Sequence, residues 1–418
     1  MFARRYWCVR STFLAAALAA GAAETRAQDQ SLDAYKILRS LQFVQDSLVL
    51  GDHSASDLQR YLLDSLDKRL RSADNGTLAD TRNADAVFVY VMSGGNPATL
   101  NFLASRDTQG YLDARVVNVL QKYLDGRGGQ VASSIASLSQ EYQGSPIGPY
   151  LNLVAGNVNY PTDPTAALIF YDRTRIDAPG TILEEAALRR SIVASASLKD
   201  VDRAFGYSVR YARRFLHSPY ASQFADLFVD LAVTSAPGLG HDRVSEVADL
   251  MDPDRAQELY LRISRLATLK GKYDLASYTA EEARKLNDVL SGKGRTLLPG
   301  LYEHIAKVPS SNVSQVVDQL SSIPREGLSD RDRALLDAAQ RVGEEIVRPV
   351  DISGSGEDTP TPDGNTRTAD AKPDLTTAGS VVPNAATATN AAVDDFVTQG
   401  RNKLGEIDSL LAKEIGGR

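Results

Sequence analysis

The chain has 418 residues, with 46 lysines and arginines against 53 aspartates and glutamates and a net charge of −7. The acidic balance excludes the concentrated Lys and Arg that nucleic-acid binding needs, and a single cysteine, Cys8, excludes an internal disulfide. His53, His217, His241 and His304 are far apart and fit neither the His-Glu-x-x-His spacing nor a pair of histidines three to five residues apart.

Residues 1–27 read as a secretory signal peptide. Arg4, Arg5 and Arg10 precede "STFLAAALAAGAA", an apolar run too short to span a bilayer, and small residues with Thr25 and Ala27 follow as a cleavage site. Their removal takes away four arginines, Glu24 and Cys8, and leaves a net charge of −10 with no thiol. No later segment is apolar enough to cross a membrane, so the expected product works in the periplasm.

Residues 28–349 form the body, where apolar and charged positions alternate at helical spacing. In "VYVMSGGNPATLNFLASRD" (89–107) an apolar run stops at Gly94-Gly95-Asn96-Pro97 and resumes. A phosphate loop would need a preceding strand and a lysine, and "NPATLNFLASRD" has no lysine. A terminal glycine, a capping asparagine and a proline at the first helical position predict a joint between two helices. Asp163-Pro164 and Asp252-Pro253 carry the same start signal, and Thr181 to Glu184 fits a capping box. The adjacent carboxylates Glu184-Glu185, Glu281-Glu282 and Glu344-Glu345 are expected on solvated helix faces rather than as acid/base pairs.

Arg210, Arg213 and Arg214 crowd one segment with Tyr207 and Tyr211. Salt bridges within an acidic protein are one account; a partner-docking patch containing Arg210, Tyr211 and Arg214 is the other, since Arg and Tyr recur at binding hot spots. From Asp252, the positions Ala256, Leu259, Tyr260, Ile263, Leu266 and Ala267 mark one helix face, ending at Gly271. A second helix starts at Tyr273, and its Ala276 and Ala283 allow close approach to a neighbour. "GKYDLASYTAEEA" (271–283) resembles the turn and second helix of a tetratricopeptide repeat, and 163–179 and 202–219 echo that helix. The expected fold is all-α: irregular stacked helical hairpins, as a tetratricopeptide-like solenoid or bundle.

Residues 350–392 contain no aromatic side chain and few branched apolar ones, which predicts a disordered linker. Residues 393–418 then regain a helical pattern. Val393, Phe396, Val397, Gly400, Leu404, Ile407, Leu411 and Ile415 share one arc, so this stretch is expected as an isolated amphipathic helix. Phe396, Leu404, Ile407 and Leu411 are its candidate partner-binding residues; docking on the body or on a second copy would cover the same stripe.

"AYKILRSLQFVQDSLVLGDHSA" (34–55), "VYVMSGGNPATLNFL" (89–103) and "FYDRTRIDAPGTILEEAALRRS" (170–191) together resemble the periplasmic motility protein C family, MotC, of rhizobia and related alphaproteobacteria. The resemblance implies a periplasmic accessory of the flagellar motor that binds the periplasmic part of the stator protein MotB and affects flagellar rotation. It assigns no binding residues, catalytic residues, metal or cofactor. Taken alone, the residues leave two other readings open: an exported cell-wall-acting enzyme, and a chaperone-like periplasmic adaptor with another client.

Overall fold

The computed structural model describes residues 33–290, 297–309 and 312–348. The chain divides into two units, Met1–Pro349 and Val350–Arg418, and every described residue belongs to the first. The expected signal peptide, linker and C-terminal stripe lie outside the described residues.

The described residues are all-helical, as the periodicity predicts. The chain opens with α1 (Ala34–Val49) and α2 (Ala55–Ser72), followed by α3 (Thr81–Met92), α4 (Pro97–Arg106), α5 (Ala114–Leu124) and α6 (Ala132–Glu141). Next come α7 (Gly148–Asn159), α8 (Pro164–Asp177), α9 (Ile182–Ser197), α10 (Val201–Phe215) and α11 (Ala221–Thr234). The short α12 (Ala236–Leu239) and α13 (His241–Ala248) lead into α14 (Pro253–Leu269) and α15 (Tyr273–Val289). Finally α16 (Leu297–Lys307), α17 (Val313–Ser321) and α18 (Asp330–Val347) complete the described body.

Each helix from α6 to α10 packs on the next, as do α14 to α16 and the pair α17 and α18. This is a stack of consecutive hairpins. Its apolar interior forms two main clusters, one from Ala34 to Leu183 and one drawn mainly from Ala167 to Ala339. Leu153 and Ile182 pack against both, so α7 to α9 join the two cores.

Small residues set the closest approaches. Ala276 and Ala283 are fully buried, and α14 reaches the backbone of α15 at both positions. Ser264 Oγ donates to the Ala276 carbonyl at 2.7 Å and Gln257 Nε2 to that of Ala283 at 3.0 Å. Between α7 and α8, a side chain at Gly156 would begin 2.3 Å from the Tyr171 ring. Only glycine lets that ring lie against the helix.

The Gly94–Pro97 segment is a helix joint, with each residue used differently. Gly94 takes φ +92°, the left-handed conformation glycine tolerates. Gly95 instead makes room, because a Cβ there would lie 2.5 Å from the Tyr90 ring. Tyr90 Oη accepts from Asn96 N at 2.9 Å and donates to Asp67 Oδ1 at 2.9 Å, pinning the joint to α2. Asn96 caps α4 by accepting from Ala98 N at 3.0 Å.

The other predicted starts fare unequally. Asp163 caps α8 through Ala166 N at 2.9 Å. Thr181 accepts from Leu183 N and Glu184 N, but Glu184 reaches back to Gly180 N at 2.6 Å rather than to Thr181 N. The expected box is therefore shifted by one residue. At α14 the Asp252 side chain makes no capping bond; Pro253 begins the helix and the Asp252 carbonyl accepts from Ala256 N at 2.9 Å.

Candidate docking surface

The Arg/Tyr segment singled out in the sequence is α10, and the structure separates its members. Tyr211 is fully buried and belongs to the core. Its ring stacks on Phe224 with centroids 4.2 Å apart, and its hydroxyl donates to Glu185 Oε1 at 2.7 Å. As placed, it cannot form part of a surface patch. Arg214 is half-exposed and forks onto Glu184, with contacts of 2.6 and 2.8 Å. Arg210 is exposed, its guanidinium 5.8 Å from the Tyr207 ring centroid. Phe396, Leu404, Ile407 and Leu411 lie outside the described residues.

Glu184 and Glu185 correct an expectation. They are not solvated: their side chains are 8% and 0% exposed. Glu185 accepts from Arg189 Nε at 2.8 Å and Nη2 at 2.9 Å, while Arg189 Nη1 donates to Gln223 Oε1 at 2.6 Å. The Arg189 guanidinium also lies 4.8 Å from the centroid of the Tyr220 ring. Such pairing offsets the cost of placing two adjacent carboxyl groups inside a fold. The pairs draw α9, α10 and α11 together. Tyr211 is shifted well above the ordinary tyrosine range, first by burial and then by the Glu185 charge, so it stays a neutral donor. By contrast Glu344 and Glu345 are exposed, and Glu282 pairs with Lys285 at 2.8 Å, as expected of solvated faces.

A polar bridge joins α8 to α10 beside this cluster. Tyr207 Oη donates to Asp172 Oδ1 at 2.7 Å, and Asp172 also accepts from Arg175 Nε at 2.9 Å. The Arg175 guanidinium lies 5.5 Å from the Tyr207 ring centroid. Burial, reinforced by the Asp172 bond, pushes the Tyr207 hydroxyl up to about 12.

The bridge fixes which residues share a surface. At 100° per residue, Ile169 and Ile176 fall within about 60° of Asp172 on α8, and Arg203, Arg210 and Arg214 within about 60° of Tyr207 on α10. Two helices separated by one hairpin partner run parallel, so both offsets turn to the same side. Ile169 and Ile176 are 60% and 66% exposed, and Arg203 and Arg210 are exposed. Among the described residues, no carboxylate is within ion-pair distance of Arg203 or Arg210. The result is a face with two aliphatic side chains on one helix and arginines on the other.

Crowding in the sequence points to Arg210 and Arg214, but not to Arg203 or to the isoleucines. A signal was present: "ALIFYDRTRI" (167–176) places apolar residues on opposite sides of α8, and only Ala167, Leu168 and Tyr171 of them are fully buried. An apolar helix needs covering on both sides.

Among the described residues no group of three or more His, Cys, Asp or Glu side chains is placed to hold a metal. The histidines do not gather: His241 stacks on Tyr278 with centroids 4.1 Å apart and pairs with Asp274 at 3.1 Å, while burial lowers His304. No described helix is long and apolar enough to cross a membrane.

Comparison with known proteins adds a family. A family model described as "Chemotaxis protein MotC" matches residues 3–416, beyond the body on both sides. A "Chemotaxis protein MotC" from Rhizobium meliloti (strain 1021) is 42% identical over 439 residues, covering 99% of this chain and all of the relative. No solved structure matches.

Proposed function

Because the chain belongs to the MotC family, we propose that this motility- and chemotaxis-related protein is an exported, non-enzymatic helical scaffold that binds the periplasmic part of the flagellar stator protein MotB. The near-complete match to the family carries the reading, and three features support it. The first residues have the anatomy of a signal peptide. The body is a hairpin stack, an architecture that offers extended binding surfaces. Its strongest buried charges, Glu184 and Glu185, are consumed by Arg214 and Arg189 in holding helices together rather than converging on an open cleft.

A scaffold affects rotation by biasing its partner. It shifts the stator's periplasmic region between states only as far as its affinity for those states differs. The test is copurification of residues 28–418 with the separately purified periplasmic region of MotB, followed by a titration. Saturable one-to-one or two-to-two binding is expected. Failure to bind, with both proteins folded, would overturn the assignment of this partner.

A further inference from the structure

We propose that the face formed by α8 and α10 is the docking surface, and that its occupant is an acidic partner segment carrying aliphatic side chains about two helical turns apart. The inference rests on the scaffold reading above and adds to it a place and a chemistry.

Charge complementarity chooses the occupant. The mature chain is acidic overall, yet the exposed part of this face presents Arg203, Arg210 and Arg214. The carboxylates beside them are already engaged: Asp172 by Tyr207 and Arg175, and Glu184 by Arg214 and Gly180 N. Arg203 and Arg210 therefore present positive charge outward from an acidic molecule, which attracts negative segments and repels basic ones.

The aliphatic pair sets the second requirement. Ile169 and Ile176 stand two turns apart on α8, about 10 Å along the axis, and no helix among the described residues covers them. An amphipathic helix lying along α8 would meet them with side chains at positions i and i+7. Its acidic flank would then face α10.

The face is also stiff. Tyr207 is held from below by Asp172 and Arg175, and α9 is tied to α10 by Glu185–Tyr211 and Glu184–Arg214. A pre-ordered surface loses little entropy on binding. Tyr211, though buried, acts here as a positioning residue through Glu185.

The test uses the full mature chain and a helical peptide of about twenty residues with leucines at i and i+7 and glutamates on the flanks. A counterpart replaces every glutamate by lysine. The acidic peptide should bind, weaken steeply with added salt, and protect α8 and α10 from hydrogen exchange. The lysine peptide should not bind. Arg203→Glu with Arg210→Glu, and separately Ile176→Asp, should each weaken acidic-peptide binding tenfold or more while the melting temperature holds. Equal binding of both peptides, binding of neither, or protection confined elsewhere would overturn the proposal. So would a chain that dimerises and becomes monomeric when Arg203 and Arg210 are reversed, because the occupant would then be a second copy. Because the peptide is not MotB, failure to bind MotB with peptide binding intact would remove the partner and leave the surface standing.

Discussion

The dipeptide Glu-Glu occurs on α9 and on α18 with opposite fates. Glu184 and Glu185 are buried, whereas Glu344 and Glu345 face solvent. The two environments differ in what stands opposite. On α9 the pair meets Arg189 one turn on, Arg214 and Tyr211 from α10, and Gly180 N at its own helix start. On α18, Glu345 meets Arg348 at 3.0 Å in open solvent. A carboxylate is stable inside this body only where several donors converge on it, and that convergence is supplied by other helices. The same charges serve as internal struts in one place and as a soluble surface in the other.

Glu185 should carry the largest effect. Glu185→Gln leaves Arg189, itself only 18% exposed, without its carboxylate. Loss of one partner from a buried pair costs about 3–5 kcal/mol, which chemical denaturation would register as a large fall in midpoint. A fall below about 1 kcal/mol, the range of exposed pairs, would mean that the α9 pair behaves like the α18 pair.

Asp113 stands between the two extremes. Asp113 accepts from Arg115, from the start of α5 and from Tyr142 Oη at 2.9 Å, and the Arg115 bonds chiefly hold its carboxyl down at about 2. A carboxylate with a depressed folded value stabilises the fold above its unfolded value of about 4 and loses that contribution as pH falls toward 2. Roughly 1–2 kcal/mol, discounted because Arg115 is 59% exposed, should disappear across that window. Asp113→Asn keeps a capping oxygen but flattens this part of the acid limb; an unchanged limb would contradict the assignment.

Without charge the effect is smaller. Asn96→Ala removes the Ala98 N cap and should cost about 1 kcal/mol, with binding to the proposed MotB partner, per folded molecule, unchanged. Normal stability with lost binding would turn the Gly94–Pro97 joint into a recognition loop. Smallest of all, Glu344→Gln with Glu345→Gln should move stability by less than about 0.5 kcal/mol. A larger loss would place α18 against something in solution that shields it.

The helices were legible because their signals are local. Asn96-Pro97 and Asp163-Pro164 cap as read, and Ala276 and Ala283 mark the close seam of α14 and α15. Asp252 shows the limit: proline at the first position starts a helix even when the side chain before it does not cap. The docking face was half legible. Arg210 and Arg214 stand out by crowding, but Tyr211 looks identical in sequence to a surface tyrosine and is buried because Phe224 and Glu185 arrive from α11 and α9. Ile169 and Ile176 could be recognised as uncovered only once α7 and α9 had claimed the rest of α8.

Swimming of a strain carrying Arg203→Glu and Arg210→Glu in the full chain reports whether the α8–α10 face works in the cell. Swimming is expected to fall to the level of a strain lacking the protein, while the variant accumulates to normal abundance and keeps its melting temperature. Wild-type swimming by that strain would contradict it.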